Sequence, residues 1–398
     1  MAAKVTFFPV GNGDMTLVTL ADVEGTTLLI DLHIRAAADD PEDDTRDVAK
    51  DLRERLNKDD KGRPYVDAFL LSHPDKDHCT GLATHFHLGA LADYPDDNKA
   101  YADKKIVIRE IWSSPLVYRR ASKTHTLTVD AKAFNTEAKR RVQVNRDKGF
   151  KGVEAGDRIL VMGEDENGKT DDLGPILIKV DQEFARINGQ ATDFLTARLL
   201  APFPKQEDAA EEDLLSKNNS SVILNLQIAA SKTEKDGCKF LTAGYAEVGI
   251  WERLWARNKG KAAVLEYDLL QAPHHCSWHS LSYDSWSQKR EKGEVSTDAR
   301  SALSQARSGA FIVASSGEIK DDDCDPPCIG AKREYQKIVS KETVKGQFLC
   351  TGEYPNSKSP EPLEFSVTGE GPQKPQDKES SKKAASIITP TRTPQPHG

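Results

Sequence analysis

Within the six residues His73–His78, the sequence His-Pro-Asp-Lys-Asp-His gathers two imidazoles and two carboxylates. It follows directly on Val66-Asp67-Ala68-Phe69-Leu70-Leu71, a nearly continuous apolar run. Such a run reads as a strand buried on both faces, of the parallel type. Loops leaving the ends of buried strands are where α/β proteins place their sites. Imidazole and carboxylate together suit zinc or manganese. Positions 73, 75 and 77 project the same way in an extended segment, with His78 on the turn that follows. The alternative, a polar loop with chance histidines, has to explain four potential ligands in six residues. Ala272-Pro273-His274-His275-Cys276-Ser277 stands in a matching place, after the apolar Leu269-Leu270. An isolated His-His pair is usually a surface feature; its position at a second strand end argues for a shared site.

The remaining chain supports a large α/β core. At 398 residues it is long enough for two or three domains, or for one large α/β domain with insertions. Strand-like segments recur at 4–33, 106–112, 153–161, 222–226, 239–242, 267–270 and 310–314. The spacing predicts helices at 47–56, 129–148, 250–255 and 331–339. No run of about 18 apolar residues suggests a membrane span. Met1–Phe8 enters a strand without a charged leader and apolar stretch, so no export signal is expected and the expected location is cytoplasmic. Six thinly spread cysteines are then expected to stay reduced. From 371 to 398 the sequence is rich in Pro, Lys and Ser and reads as a disordered tail.

Net charge is −8, which disfavours chain-wide binding to nucleic acid. The stretch Lys99–Lys151 is the exception, with fourteen cations against five anions. Arg119, Arg120, Lys139, Arg140 and Arg141 are its candidates for contact with a phosphate-rich partner. The competing reading is a solvated helix face.

Taken in order, these segments resemble the metallo-β-lactamase fold. The likeness is nearest to the hydrolase domain of late competence (DNA-uptake) proteins, with phosphorylcholine esterases as neighbours. Val10-Gly11-Asn12-Gly13-Asp14 resembles the opening of that branch, and Leu29-Ile30-Asp31 its next strand end. Asn218-Asn219-Ser220-Ser221-Val222-Ile223-Leu224 is similar to a later strand, and Pro273-His274-His275-Cys276-Ser277 to the closing motif. The resemblance covers about residues 4–368. It implies a four-layer αββα metallo-β-lactamase sandwich over 1–370, with a long basic insertion at about 91–215.

The resemblance also implies roles, position by position. His73 and Asp75 correspond to ligands of a first metal; Asp77, His78 and His275 correspond to ligands of a second. Asp77 and His274 would serve the chemistry, His274 by touching a substrate phosphate or protonating the leaving group. Asp14 and Asp31 would stand behind the ligands. One position departs from the pattern: Tyr245 stands where the family carries a bridging aspartate. A phenol, with an ordinary pKa near 10, replaces poorly a carboxylate that neutralises two cations. Three consequences are open. The site holds one metal; or Glu247 or Asp14 supplies the missing carboxylate; or the protein is a catalytically weakened member. Cys276 is expected to pack rather than ligate. His33 and His279 are candidates for the site's surroundings, while His85 and His87 are expected to lie apart.

The function expected is a metal-dependent hydrolase of phosphodiesters, a nuclease, using one or two divalent ions (zinc or manganese) and a hydroxide bound to them. The alternative is a weakened scaffold that binds nucleic acid or a protein. The related proteins join this domain to a membrane channel that this sequence lacks. No membrane insertion is therefore expected, and a separately encoded protein partner is.

Overall fold

The strand Pro64–Leu70 is buried at all seven positions, as its lack of alternation requires. A computed structural model describes residues 2–40, 43–121 and 126–375. Pro64–Leu70 lies parallel to Thr27–Ile30 on one side and to Ile106–Ser113 on the other. These strands belong to an eleven-stranded mixed sheet. Beyond Thr27–Ile30 it continues antiparallel through Thr16–Thr19, Lys4–Phe7, Leu363–Thr368 and Gly371–Gln373. Beyond Ile106–Ser113 it continues parallel through Arg158–Met162 and Leu177–Ile178. A second sheet has seven strands. Leu195–Ala201, Ile223–Ile228 and Cys238–Leu241 are antiparallel neighbours. Cys238–Leu241, Tyr267–Gln271, Ala306–Ala314 and Gln347–Cys350 follow in parallel.

The apolar side chains fall into three main clusters, and strand periodicity decides which residue joins which. Ala68 and Leu70 point into a cluster shared with the second sheet, where they join Phe7, Leu226, Phe240 and Leu269. Phe7 meets Phe240 edge to face, centroids 5.6 Å apart. Phe69 and Leu71 point the other way, towards Leu52, Leu82 and Phe134. Those three come from the helices Val48–Arg53, Leu82–His85 and Val129–Asp147. On the second sheet, Leu241, Leu270 and Ile312 face Trp251, Leu303 and Tyr335, from the helices Val248–Asn258, Thr297–Leu303 and Ile329–Val339. The protein is thus mixed α/β with two large mixed sheets and helices.

Two boundaries differ from those expected. Residues 91–215 are not an appended insertion. They supply Ile106–Ser113, Arg158–Met162 and Leu177–Ile178 to the first sheet, and Leu195–Ala201 to the second. Their apolar runs are sheet interior, and the helix Val129–Asp147 carries five of the fourteen cations of Lys99–Lys151. At the other end, Gly371–Gln373 pairs with Leu363–Thr368, so strand structure extends past 370; residues 376–398 lie outside the described residues. Among the described residues no helix is long and apolar enough to cross a membrane.

Candidate metal centre

Parallel register brings several strand ends to one place. Ile30 pairs with Leu70, so Asp31 and the Ser72–His78 loop emerge side by side. In the second sheet Leu241, Leu270 and Ile312 are level, and the chain continues into Tyr245, His274-His275 and Ser315. Backbone bonds knit the loops together. Asp14 N–H donates to the Asp77 carbonyl at 3.0 Å and His274 N–H to the Gly244 carbonyl at 2.8 Å. Ser315 Oγ–H donates to the Gly13 carbonyl at 2.9 Å. Gly13 has no side chain for a reason: a Cβ there would fall 2.1 Å from His33 Nδ1. Asp31, His274, His275 and Cys276 all have positive φ, between 49° and 69°. Such non-glycine strain costs roughly 1–3 kcal/mol per residue and persists only where the surroundings impose it.

The buried donor set is Asp14, His78 and His275. Each offers a ligand atom within 4.8 Å of the others, the one such group of His, Cys, Asp and Glu among the described residues. The outer partners already fix the rings. His78 Nδ1 lies 2.8 Å from Asp31 Oδ2, and Ser72 N–H donates to Asp31 Oδ1 at 2.7 Å. His275 Nδ1 donates to the Ser315 carbonyl at 3.0 Å. In both rings the opposite nitrogen, Nε2, is buried with no hydrogen-bond partner, as is Asp14 Oδ1. Metal-ligating histidines characteristically bind through one nitrogen while a carboxylate or carbonyl holds the other. Burial alone would depress the imidazoles, but the carboxylates prevail. Asp31, Asp14 and Asp77 push His78 up to about 10; Asp14 and Asp77 push His275 up to about 9. For Asp14, burial favours the neutral acid but His275 and His78 outweigh it and hold its carboxyl below the ordinary range. A buried pocket this rich in acids calls for positive charge. The donors and their supports fit a divalent cation, which could be held there.

His73, Asp75 and Asp77, expected as ligands, fall outside this three-residue group. His73 Nε2 donates to the Lys217 carbonyl at 3.2 Å; its Nδ1 is 3.5 Å from Asp75 Oδ1, on a carboxylate that is half exposed. Asp77 Oδ2 sits 3.2 Å from His275 Nε2 and accepts a very short hydrogen bond from the Tyr245 hydroxyl. Tyr245 stands among these side chains. Its ring lies 4.4 Å from His78, 4.2 Å from His274 and 5.2 Å from both His73 and His275, between centroids. Burial and the Asp77 charge hold its hydroxyl protonated far above the usual range. Glu247 supplies no ligand either: its carboxylate accepts from Asn218 Nδ2 at 2.8 Å. Asp14, on the Gly-rich turn, is the carboxylate that joins the histidines. Asp31 stands behind His78, as expected.

His274 reaches the centre, but burial pushes it down to about 3. Its ring can hydrogen-bond to a substrate oxygen, the first of the two roles expected of it. His33 flanks the Asp14 turn, whereas His279 is 3.9 Å from Asp325. His85 meets Asp39 and His87 the Ala90 carbonyl, apart from the centre. Cys276 is packed and fully buried. Ser72 and Ser315 were missed by sequence reasoning. A small polar residue directly after a buried strand was their only signal.

The basic stretch is a correction. Arg141 is 1% exposed; it donates to Glu137 at 2.7 Å and to the Arg158 and Ile108 carbonyls at 3.1 and 3.0 Å. Arg140 is shared between Glu137 and Asp157. Arg120 is buried against Glu212, and Arg119 is clamped by Asp165 and Glu166. Arg120 and Arg141 are internal struts, and acids pair with the half-buried Arg140 and the exposed Arg119 as well. Lys139 alone of the five candidates is exposed and makes no ion pair among the described residues. Lys123 and His125 lie outside the described residues.

Asp31→Ala should lower affinity for Mn²⁺ or Zn²⁺ by roughly 10–100-fold, the usual effect of removing an outer-shell partner. Calorimetric titration checks this; unchanged affinity would mean that Asp31 does not orient His78. No protein-family model matches this chain, and no curated protein matches it.

Proposed function

We propose that this chain is a metal-dependent phosphodiester hydrolase, with nucleic acid as its substrate class, built on a four-layer αββα metallo-β-lactamase sandwich. The layering supports the fold assignment. One apolar cluster lies between the sheets, and each sheet meets helices through a further cluster. The observation that carries the function is the set of buried atoms Asp14 Oδ1, His78 Nε2 and His275 Nε2, which make no hydrogen bond, with Asp77 Oδ2 3.2 Å from His275 Nε2. Zinc and manganese both suit such a set.

A bound divalent cation supplies Lewis-acid polarisation of a phosphoryl oxygen and acidification of water. The chain's own groups do the rest. Asp31 and the Ser315 carbonyl fix the two imidazoles, so no reorganisation is needed when substrate arrives. Neutral His274, half-buried with Nδ1 unpartnered, can donate or accept a hydrogen bond at a phosphate oxygen. Asp77, next to His275, can accept a hydrogen bond from a water on the same side. The test is cleavage of single- and double-stranded DNA and RNA, and of a chromogenic phosphodiester, with Mn²⁺ or Zn²⁺. Hydrolysis that disappears in His275→Ala supports the proposal. No turnover of any substrate rejects it.

A second reading is favoured by one contact, the Tyr245–Asp77 hydrogen bond. It engages the carboxylate that would otherwise serve water, so the chain would be a weakened scaffold that binds nucleic acid or a protein. Binding without cleavage, unaffected by chelator, would distinguish it.

A further inference from the structure

Two sets of buried, unpartnered donors approach Tyr245 from different sides. Asp14 Oδ1, His78 Nε2 and His275 Nε2 make one; His73 Nδ1 and His274 Nδ1 make the other, with Asp75 Oδ1 3.5 Å from His73 Nδ1. Two cations in one hydrolytic centre normally sit about 3.5–4 Å apart and need an anion between them to offset their repulsion. Asp77 is the carboxylate placed to do this, with Oδ2 3.2 Å from His275 Nε2. That same oxygen accepts the Tyr245 hydroxyl. The Tyr245 ring stands within 4.2–5.2 Å, centroid to centroid, of all four histidines. It therefore contributes bulk where a second ion would lie, and no negative charge. Its position is held from behind, since Tyr245 N–H donates to Ser221 Oγ at 3.0 Å. The two donor sets are accordingly not one group: Asp14, His78 and His275 form the one set of three or more His, Cys, Asp or Glu residues whose ligand atoms all lie within 4.8 Å of one another among the described residues.

We infer that Tyr245 is a wedge that limits this centre to one divalent cation, held by Asp14, His78 and His275, and keeps His73, Asp75 and His274 from holding another. The inference rests on the metal-binding part of the function proposed above. It separates two properties of the side chain, the ring that fills space and the hydroxyl that engages Asp77. Tyr245→Phe keeps the ring; Tyr245→Asp removes it and provides a bridging carboxylate.

The full chain, stripped with chelator, is saturated with Mn²⁺, desalted and assayed for manganese and protein by plasma mass spectrometry. Wild type and Tyr245→Phe should each retain one ion per chain, and Tyr245→Asp should approach two. Electron paramagnetic resonance of the wild type gives a readout that no variant's folding can disturb: isolated Mn²⁺ yields a six-line spectrum, an exchange-coupled pair does not. Two ions or a coupled spectrum in wild type would overturn the inference while leaving the hydrolase proposal standing. So would a folded Tyr245→Asp that stays at one ion, or a Tyr245→Phe that gains a second. No retained ion in wild type would overturn both.

Discussion

His78→Ala should abolish tight divalent-cation binding and lower phosphodiester hydrolysis by about 1,000-fold. The side chain is fully buried and supplies one of three donors in the centre. A Lewis-acid contribution of several kcal/mol corresponds to about three decades in rate, at 1.36 kcal/mol per decade. The variant also leaves Asp31 and Asp14 buried without their imidazole, so circular dichroism and a melting curve must accompany the rate. His85→Ala is the control. That ring pairs with Asp39 at 3.3 Å and is no part of the centre, so metal binding should be unchanged. Equal activity in His78→Ala and wild type would remove His78 from the chemistry.

Glu137→Ala should be the most damaging single change away from the centre, costing roughly 3–5 kcal/mol, as expected when one partner of a buried ion pair is removed. Glu137 receives Arg141 at 2.7 Å, Arg140 at 2.7 and 2.8 Å, and the Gly89 amide at 3.0 Å. Arg141, almost wholly buried, would be left charged and unmatched. Burial raises the Glu137 carboxyl, but the Arg140 hydrogen bond and the Arg141 charge outweigh this and hold it below its ordinary value. A depressed carboxyl contributes stability that is present above its unfolded pKa of about 4.3 and lost as pH falls through the folded value. Wild type should therefore lose more melting temperature below pH about 4.3 than Glu137→Gln does. Chemical denaturation at pH 7 and melting curves at pH 3–7 check both. A loss under about 1 kcal/mol would show that the pair is not a strut.

The strand ends were legible because their chemistry is local. An apolar run followed by His-Pro-Asp-Lys-Asp-His announces a loop at a strand end, and Asp31 and His275 were singled out for the same reason, each following an apolar strand. Ligand identity was less legible, because it depends on which side chains meet across two sheets. Asp14 became a principal donor only through its amide bond to the Asp77 carbonyl, a contact no spacing rule supplies. Glu247 lies two residues from Tyr245 yet turns to Asn218. The basic stretch misled for a related reason. Charge along a segment is visible in sequence, but the acids that neutralise Arg119 and Arg120, at 165–166 and 212, are distant in the chain. Within 91–215 the strands at 106–112 and 153–161 were legible, whereas Leu177–Ile178 and Leu195–Ala201 were not, because short strands in charged surroundings need sheet neighbours to be recognised.

The Ser315 hydroxyl bonded to the Gly13 carbonyl, and the Ser315 carbonyl bonded to His275, have a consequence for synthesis. A growing polypeptide exposes His78 long before Ser315 has been added. At about 5–20 residues per second, the ribosome would run for tens of seconds with Asp14 and His78 made and His275 still to come. A closed centre would therefore arise only after Ser315 has been added, and shorter nascent chains would lack it.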